Sequence, residues 1–185
     1  MIETIKQDAE ERMGKAVANL KKEFASIRTG KASPALLDRI VVDYYGVPTP
    51  LNQMAGVSAP EARMLLIQPW DKSALGNIEK AILKSDLGLT PTNDGSVIRL
   101  VIPQLTQDSR KELGKKVKKF GEEAKVAVRN IRRDSNDEIK KLEKAKEINE
   151  DDSKAAQDVI QKMTDKYVAE VDKAAANKEA EIMEI

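Results

Sequence analysis

The chain has no cysteine and no histidine, and only six of its 185 residues are aromatic. Without cysteine there is no disulfide scaffold, no thiolate metal site and no cysteine nucleophile. Without histidine, the usual general base near neutral pH and the commonest transition-metal ligand are both missing. No serine has a histidine to activate it, so neither an enzyme nor a bound cofactor or metal is expected. Phosphate-loop spacing fails as well. Gly30-Lys31 is followed by Ala32, with Ala25 where the first glycine belongs, and Gly114-Lys115-Lys116 fails in the same way. Long apolar runs are absent, and the amino-terminal MIETIKQDAEERM lacks the apolar region of a secretion signal. A soluble, cytoplasmic protein with no membrane partner is the expectation. Net charge is close to nil, 32 basic against 31 acidic residues.

Proline is missing from most of the chain, and its placement organises the rest. All seven prolines, and six of the nine glycines, lie between Gly30 and Leu105. That stretch has seven basic and seven acidic residues, whereas the flanks are dense in charge. Proline removes a helical hydrogen bond and is tolerated at turns and strand edges. The flanks are therefore free to form long helices and the middle is not.

Apolar spacing agrees. Ile2, Ile5, Ala9, Met13, Ala16, Leu20, Phe24 and Ile27 step by threes and fours, as a helical stripe does. Leu113, Val117, Phe120, Ala124, Ala127, Ile131, Ser135, Ile139 and Leu142 form a second stripe, with Thr106 as its N-cap and Asp108 in its first turn. Asn149 is the expected cap of a third, whose stripe is Ala156, Ile160, Met163, Tyr167, Val171, Ala174 and Ile182. The acidic Glu150, Asp151 and Asp152 read as first-turn residues of that helix rather than as a cation site. In the middle, residues 39–45, 62–69 and 96–103 read as strands and residues 71–87 as a helix. That helix would start at an Asp71 cap and end at Gly88, and Asn93-Asp94-Gly95 signals a hairpin. Trp70, Tyr44 and Tyr45 sit on or beside strands and are expected in the core or half-buried.

The fold class is thus α+β: an elongated three-helix bundle from residues 1–29 and 106–185, with a compact α+β domain, residues 30–105, inserted after the first helix. The insert joins the bundle by two short crossings, Thr29-Gly30-Lys31 and Leu105-Thr106, which would permit a hinge.

One charge feature breaks the overall balance. Residues 110–133 carry ten basic side chains against Glu112, Glu122 and Glu123. On a helix Lys111, Lys118, Lys125, Arg129 and Arg132 share one strip, with Lys115 and Arg133 at its edge, turned away from the apolar stripe. A charge run is ordinarily only a solvated face. Here the acidic residues are displaced along the helix rather than interleaved, and the strip ends in arginine, which grips phosphate bidentately. That is the footprint of a nucleic-acid binder. With no exposed aromatic to stack bases, structured RNA fits better than a single strand. The alternative is a coiled-coil adaptor, which would need an unfilled apolar face.

Several long segments resemble one family along the whole chain, the bacterial ribosome recycling factors. They are SIRTGKASPALLDRIVVDYYGVPTPL (26–51), SDLGLTPTNDGSVIRLVIPQLT (85–106), VAVRNIRRDSNDEIK (126–140) and EINEDDSKAAQDVIQKMTD (147–165). The resemblance implies a three-helix bundle carrying a β/α/β sandwich on a two-stranded hinge. It also implies a monomeric translation factor that binds large-subunit ribosomal RNA on the post-termination ribosome. With elongation factor G and its GTP hydrolysis, such a factor helps split the subunits. The family's RNA-facing arginines fall on Arg28, Arg110, Arg129, Arg132 and Arg133, and Lys118 and Lys125 join them on the basic strip.

Overall fold

A computed structural model describes residues 1–27 and 29–184. Arg28 lies outside the described residues. The chain packs as two compact units, one formed by Met1–Phe24 with the chain from Gly114 onward, the other by Ala25–Leu113.

The first unit is built from three long helices, α1 (Ile2–Ala25), α3 (Gln107–Lys144, from Gly114 on) and α4 (Glu150–Met183). Both expected caps are present. Thr106 Oγ1 accepts from Ser109 N at 3.0 Å, and Asn149 Oδ1 accepts from Asp152 N at 2.7 Å. Helices α3 and α4 run antiparallel, since Gly121 faces Val171 and Ala175 while Arg132 reaches back to Gln161. The core is Ile5, Ala9, Met13, Val17, Leu20 and Phe24 against Val117, Val128, Ile131, Ile139, Ile160 and Val171. The expected stripes are displaced by one residue in places. Val17, Val128 and Thr164 are buried where Ala16, Ala127 and Met163 were expected, and those three are half-buried. Neighbours on a helix are about 100° apart, so a helix packed between two others buries a face wide enough to take either. Thr164 is accommodated because its hydroxyl donates to Ile160 O at 2.8 Å.

The second unit holds a two-stranded hairpin, β1 (Val41–Tyr44) and β2 (Val47–Pro50), and a four-stranded antiparallel sheet. The sheet comprises β3 (Ala55–Glu61), β4 (Met64–Pro69), β5 (Pro91–Asn93) and β6 (Ile98–Val101) in the order β3-β4-β6-β5. Leu65 pairs with Leu100 and Ile67 with Ile98, so four fully buried side chains line one face of the central strands. Helix α2 (Leu75–Lys84) covers that core with Leu75, Ile78 and Ile82.

Three strands were not expected from the sequence: β2, β3 and β5, each containing proline. All three are edge strands, where a missing N–H leaves no gap in a ladder. Pro48, Pro50, Pro60 and Pro91 are therefore edge-strand residues. Helix α2 also stops short of Gly88. Ser85 ends it, its amide reaching Ala81 O and Ile82 O and its hydroxyl donating to Ile82 O at 2.6 Å. Gly88 has φ +68° beyond that end. The Asp71 cap is real, accepting from Ser73 N at 3.0 Å, but it opens a short 3-10 turn (Lys72–Ala74) ahead of α2. The Asn93-Asp94-Gly95 hairpin forms as expected, with Asp94 Oδ1 accepting from Ser96 N and Val97 N, both at 2.9 Å.

The aromatic residues depart most from expectation. Trp70 is 72% exposed and Tyr45 is 76% exposed, neither core nor half-buried. Tyr45 shares a two-residue hairpin loop with Gly46, both with positive φ, which swings its ring out of the strand alternation. Its hydroxyl meets Ser73 Oγ at 3.2 Å. Only Tyr44 is half-buried, donating to Asp71 Oδ2 at 2.8 Å.

The crossing residues Thr29, Gly30, Lys31, Leu105 and Thr106 all fall inside the second unit. Gly30 has φ +83°, and a β-carbon built there would stand 3.7 Å from Leu105 Cγ.

Candidate nucleic-acid interface

Helix α3 carries the basic residues, and its first turns belong to the second unit. In that unit Lys111 is exposed, while Arg110 is half-buried, its Nε buried and without a hydrogen-bond partner among the described residues. In the bundle unit Lys118, Arg129 and Arg133 are exposed, and among the described residues none has a hydrogen-bond or ion-pair partner. Three cations thus project from one side of a helix whose other side carries Val117, Val128, Ile131 and Ser135 into the core. Lys119 adds a fourth exposed charge beside them. The three aromatic residues of this unit, Phe24, Phe120 and Tyr167, are buried or half-buried, so the face offers charge without a stacking platform.

Two members of the expected strip are not free. Lys125 keeps only 18% of its side-chain exposure, and its ammonium bridges Asp172 of α4 and Glu122 Oε1 at 3.5 Å. The hydrogen bond that Lys125 donates to Asp172 outweighs the cost of burial and holds the Lys125 pKa above its ordinary value. Lys125 is a tie between α3 and α4 rather than an open cation. Arg132 is half-buried, and its Nη1 donates to Gln161 Oε1 at 3.3 Å. Gln161 Nε2 in turn donates to Asp165 Oδ1 at 2.9 Å.

The reason is rotation about the helix axis. At about 100° per residue, Lys125 and Arg132 stand about 40° and 60° round from Arg129, toward the buried face and toward α4. Arg133 lies about 40° to the other side, away from α4. A wheel of α3 carries that ordering. It does not show that Asp172, Gln161 and Asp165 wait on the facing helix, and these three residues were not singled out from the sequence. Elsewhere in the bundle Arg12 joins Asp134 at 3.2 Å, which ties α1 to α3. Tyr167 donates to Glu10 Oε1 at 2.5 Å, which ties α4 to α1. With Lys125–Asp172, each pair of helices has a polar tie, and α3 is held in one rotational setting.

Among the described residues no three carboxylates cluster as a metal site, and no helix is long and apolar enough to cross a membrane.

Comparison with known proteins gives the family. The pattern described as "Ribosome recycling factor" matches residues 20–183. The ribosome-recycling factor of Heliobacterium modesticaldum is 62% identical over 185 residues, covering 100% of both chains. That of Brevibacillus brevis is 60% identical over 185 residues with the same coverage. The solution structure of a ribosome recycling factor matches with a TM-score of 0.80 at 44% identity, covering 100% of this chain and 98% of that one. A T. thermophilus ribosome recycling factor, described with the E. coli elongation factor G as bound to the E. coli post-termination complex, matches at 0.70 and 44% identity. It covers 100% of both chains. A family pattern over nearly the whole length, relatives at about three-fifths identity from end to end and a shared α+β fold together show that this chain belongs to the ribosome recycling factor family.

Proposed function

We propose that this protein is a cytoplasmic translation factor that binds the post-termination ribosome and, together with elongation factor G, promotes separation of the subunits, performing no chemistry of its own. Family membership supports the role, as does the relative described on a post-termination complex with elongation factor G. The observation that carries the binding mode is the set of exposed cations Lys118, Arg129 and Arg133 on the outer side of α3, which have no partner among the described residues. We assign them, with Arg110 and Arg132, to the phosphates of large-subunit ribosomal RNA. Arg28, which the resemblance adds to this set, lies outside the described residues. Lys125 supports the surface by locking α3 against α4. We expect the bundle and the insert to adjust during splitting about residues 29–31 and 105–106, which lie within the second unit.

A docking helix for a protein partner would need an apolar strip. Among the described residues, the large apolar side chain that α3 leaves exposed is Val126. The surrounding lysines and arginines suit phosphate instead.

Cosedimentation with purified ribosomes over a salt series tests the reading. Each neutralised phosphate adds about 0.7 to 0.9 to the slope of log K against log salt. Arg129→Glu is expected to weaken binding at least tenfold and flatten that slope by about one unit, with helicity and melting within about 0.5 kcal/mol of wild type. Equal affinities and equal slopes for the two proteins would reduce the basic face to a solvated surface.

A further inference from the structure

We propose that Gln161 of helix α4 is a positioning residue for the RNA-binding face, holding the Arg132 guanidinium ready for a phosphate without neutralising its charge. The proposal rests on the ribosome-binding reading of that face. Gln161 uses both ends of its amide: Oε1 accepts from Arg132 Nη1 at 3.3 Å, and Nε2 donates to Asp165 Oδ1 at 2.9 Å. Asp165 lies one helical turn beyond Gln161, so the amide is held at its far end by an acceptor and cannot turn round without facing carboxylate with carbonyl oxygen.

The arrangement leaves the useful part of Arg132 open. Nη1 is the guanidinium nitrogen on the Cδ side. With that nitrogen held, the Nε and Nη2 edge, whose two N–H bonds run parallel, has no partner among the described residues. That side-on edge is one of the two on which a guanidinium can meet an anion bidentately. An arginine free in solvent loses rotamer freedom when it binds, and an arginine already held against α4 has lost part of it beforehand. The interposed amide also matters electrostatically. A carboxylate at position 161 would pair with Arg132 directly and compete with phosphate, as Asp172 does at Lys125. A neutral amide orients the cation and leaves its charge available. Arg129 and Arg133, without such a partner, supply charge but no preset geometry.

The test is a double-mutant cycle on binding of the full chain to purified ribosomes. Gln161→Met keeps the length of an exposed side chain and removes both hydrogen bonds. It is expected to weaken binding about three- to tenfold, the cost of immobilising one long side chain anew. In an Arg132→Ala background the same change is expected to have no effect, because its route of action is gone. Gln161→Glu, which introduces a competing ion pair, is expected to weaken binding more than Gln161→Met and to lower the salt slope, while melting stays at the wild-type value. Equal losses from Gln161→Met in both backgrounds would show that Gln161 acts without Arg132 and would overturn the proposal. So would unchanged binding of Gln161→Met alongside a clear loss for Arg132→Ala, a result that leaves the basic-face reading intact. If Arg132→Ala itself binds as wild type, the assignment of Arg132 to the RNA-binding face fails first, and the role of Gln161 goes with it.

Discussion

Tyr167→Phe isolates the tie between α4 and α1. The tyrosine is 8% exposed, and its hydroxyl donates to Glu10 Oε1 at 2.5 Å, with Lys166 Nζ 3.7 Å from the same carboxylate oxygen. A hydrogen bond to a charged acceptor contributes about 1.5 to 3 kcal/mol. Glu10 remains in contact with water after the substitution, which places the expected loss at the lower end, about 1.5 kcal/mol. In a chain of this size that lowers the melting temperature of the bundle by about 3 to 6 °C. The pH dependence gives a sharper signature. The hydrogen bond to Glu10, followed by burial and the Glu10 charge, pushes the tyrosine pKa up from 10.0 to about 12. The folded state therefore holds its proton more tightly than the unfolded state does. The contribution is fully present below pH 10 and is lost as pH rises from 10 through about 12. Urea unfolding followed by helical circular dichroism at pH 8 and pH 11.5, for wild type and Tyr167→Phe, reads both effects. The stability gap is expected at pH 8 and should close toward pH 12. A gap that is absent at pH 8, or that is the same size at both pH values, would refute a stabilising Tyr167–Glu10 hydrogen bond.

Gly121→Ala is expected to raise bundle stability by up to about 1 kcal/mol, because glycine is a poor helix former and the new methyl would meet Ala175 Cβ at 3.8 Å and Val171 Cγ1 at 4.0 Å, ordinary contacts. A lower melting temperature would show that α3 and α4 cannot give way even that far. Gly30→Val forces a β-branched residue to φ +83° beside Leu105, so the second unit should lose about 1 to 2 kcal/mol and subunit splitting should slow, while helical melting of the bundle is unchanged. Splitting at the wild-type rate would show that this junction does not limit the reaction. Asp94→Asn should abolish an acid transition of the β5–β6 hairpin. The Val97 and Ser96 amides and Arg99 lower the Asp94 pKa to about 2, so its contribution is present above about pH 4 and is lost as pH falls toward 2. The amide chemical shifts of residues 94–99 through an acid titration check this, and an unchanged titration in the variant would count against it.

Proline and glycine confinement, apolar spacing and the Thr106 and Asn149 caps already divide this sequence into long helices and an α+β insert, because each of these signals acts within one or two turns of chain. The same locality explains the misreadings. The segments holding Pro48, Pro60 and Pro91 do not read as strands, and only the sheet order, which brings distant segments together, makes them edge strands. Trp70 and Tyr45 carry the composition of core residues, yet a hairpin loop with two positive φ angles leaves Tyr45 outside, and Trp70 stands exposed just beyond the end of β4. The basic face divides in the same way. That Lys118, Arg129 and Arg133 share a side of α3 follows from helical geometry alone. Which cations stay free does not, since it depends on how α4 is registered and rotated against α3. That packing sets Asp172 against Lys125 and the amide of Gln161 against Arg132, so identical charges a few residues apart become a structural tie, a held arginine and two open ones. Charge and period are properties of a segment, whereas the partner of a long side chain is chosen by whichever residue of another helix arrives within about 3 Å of it.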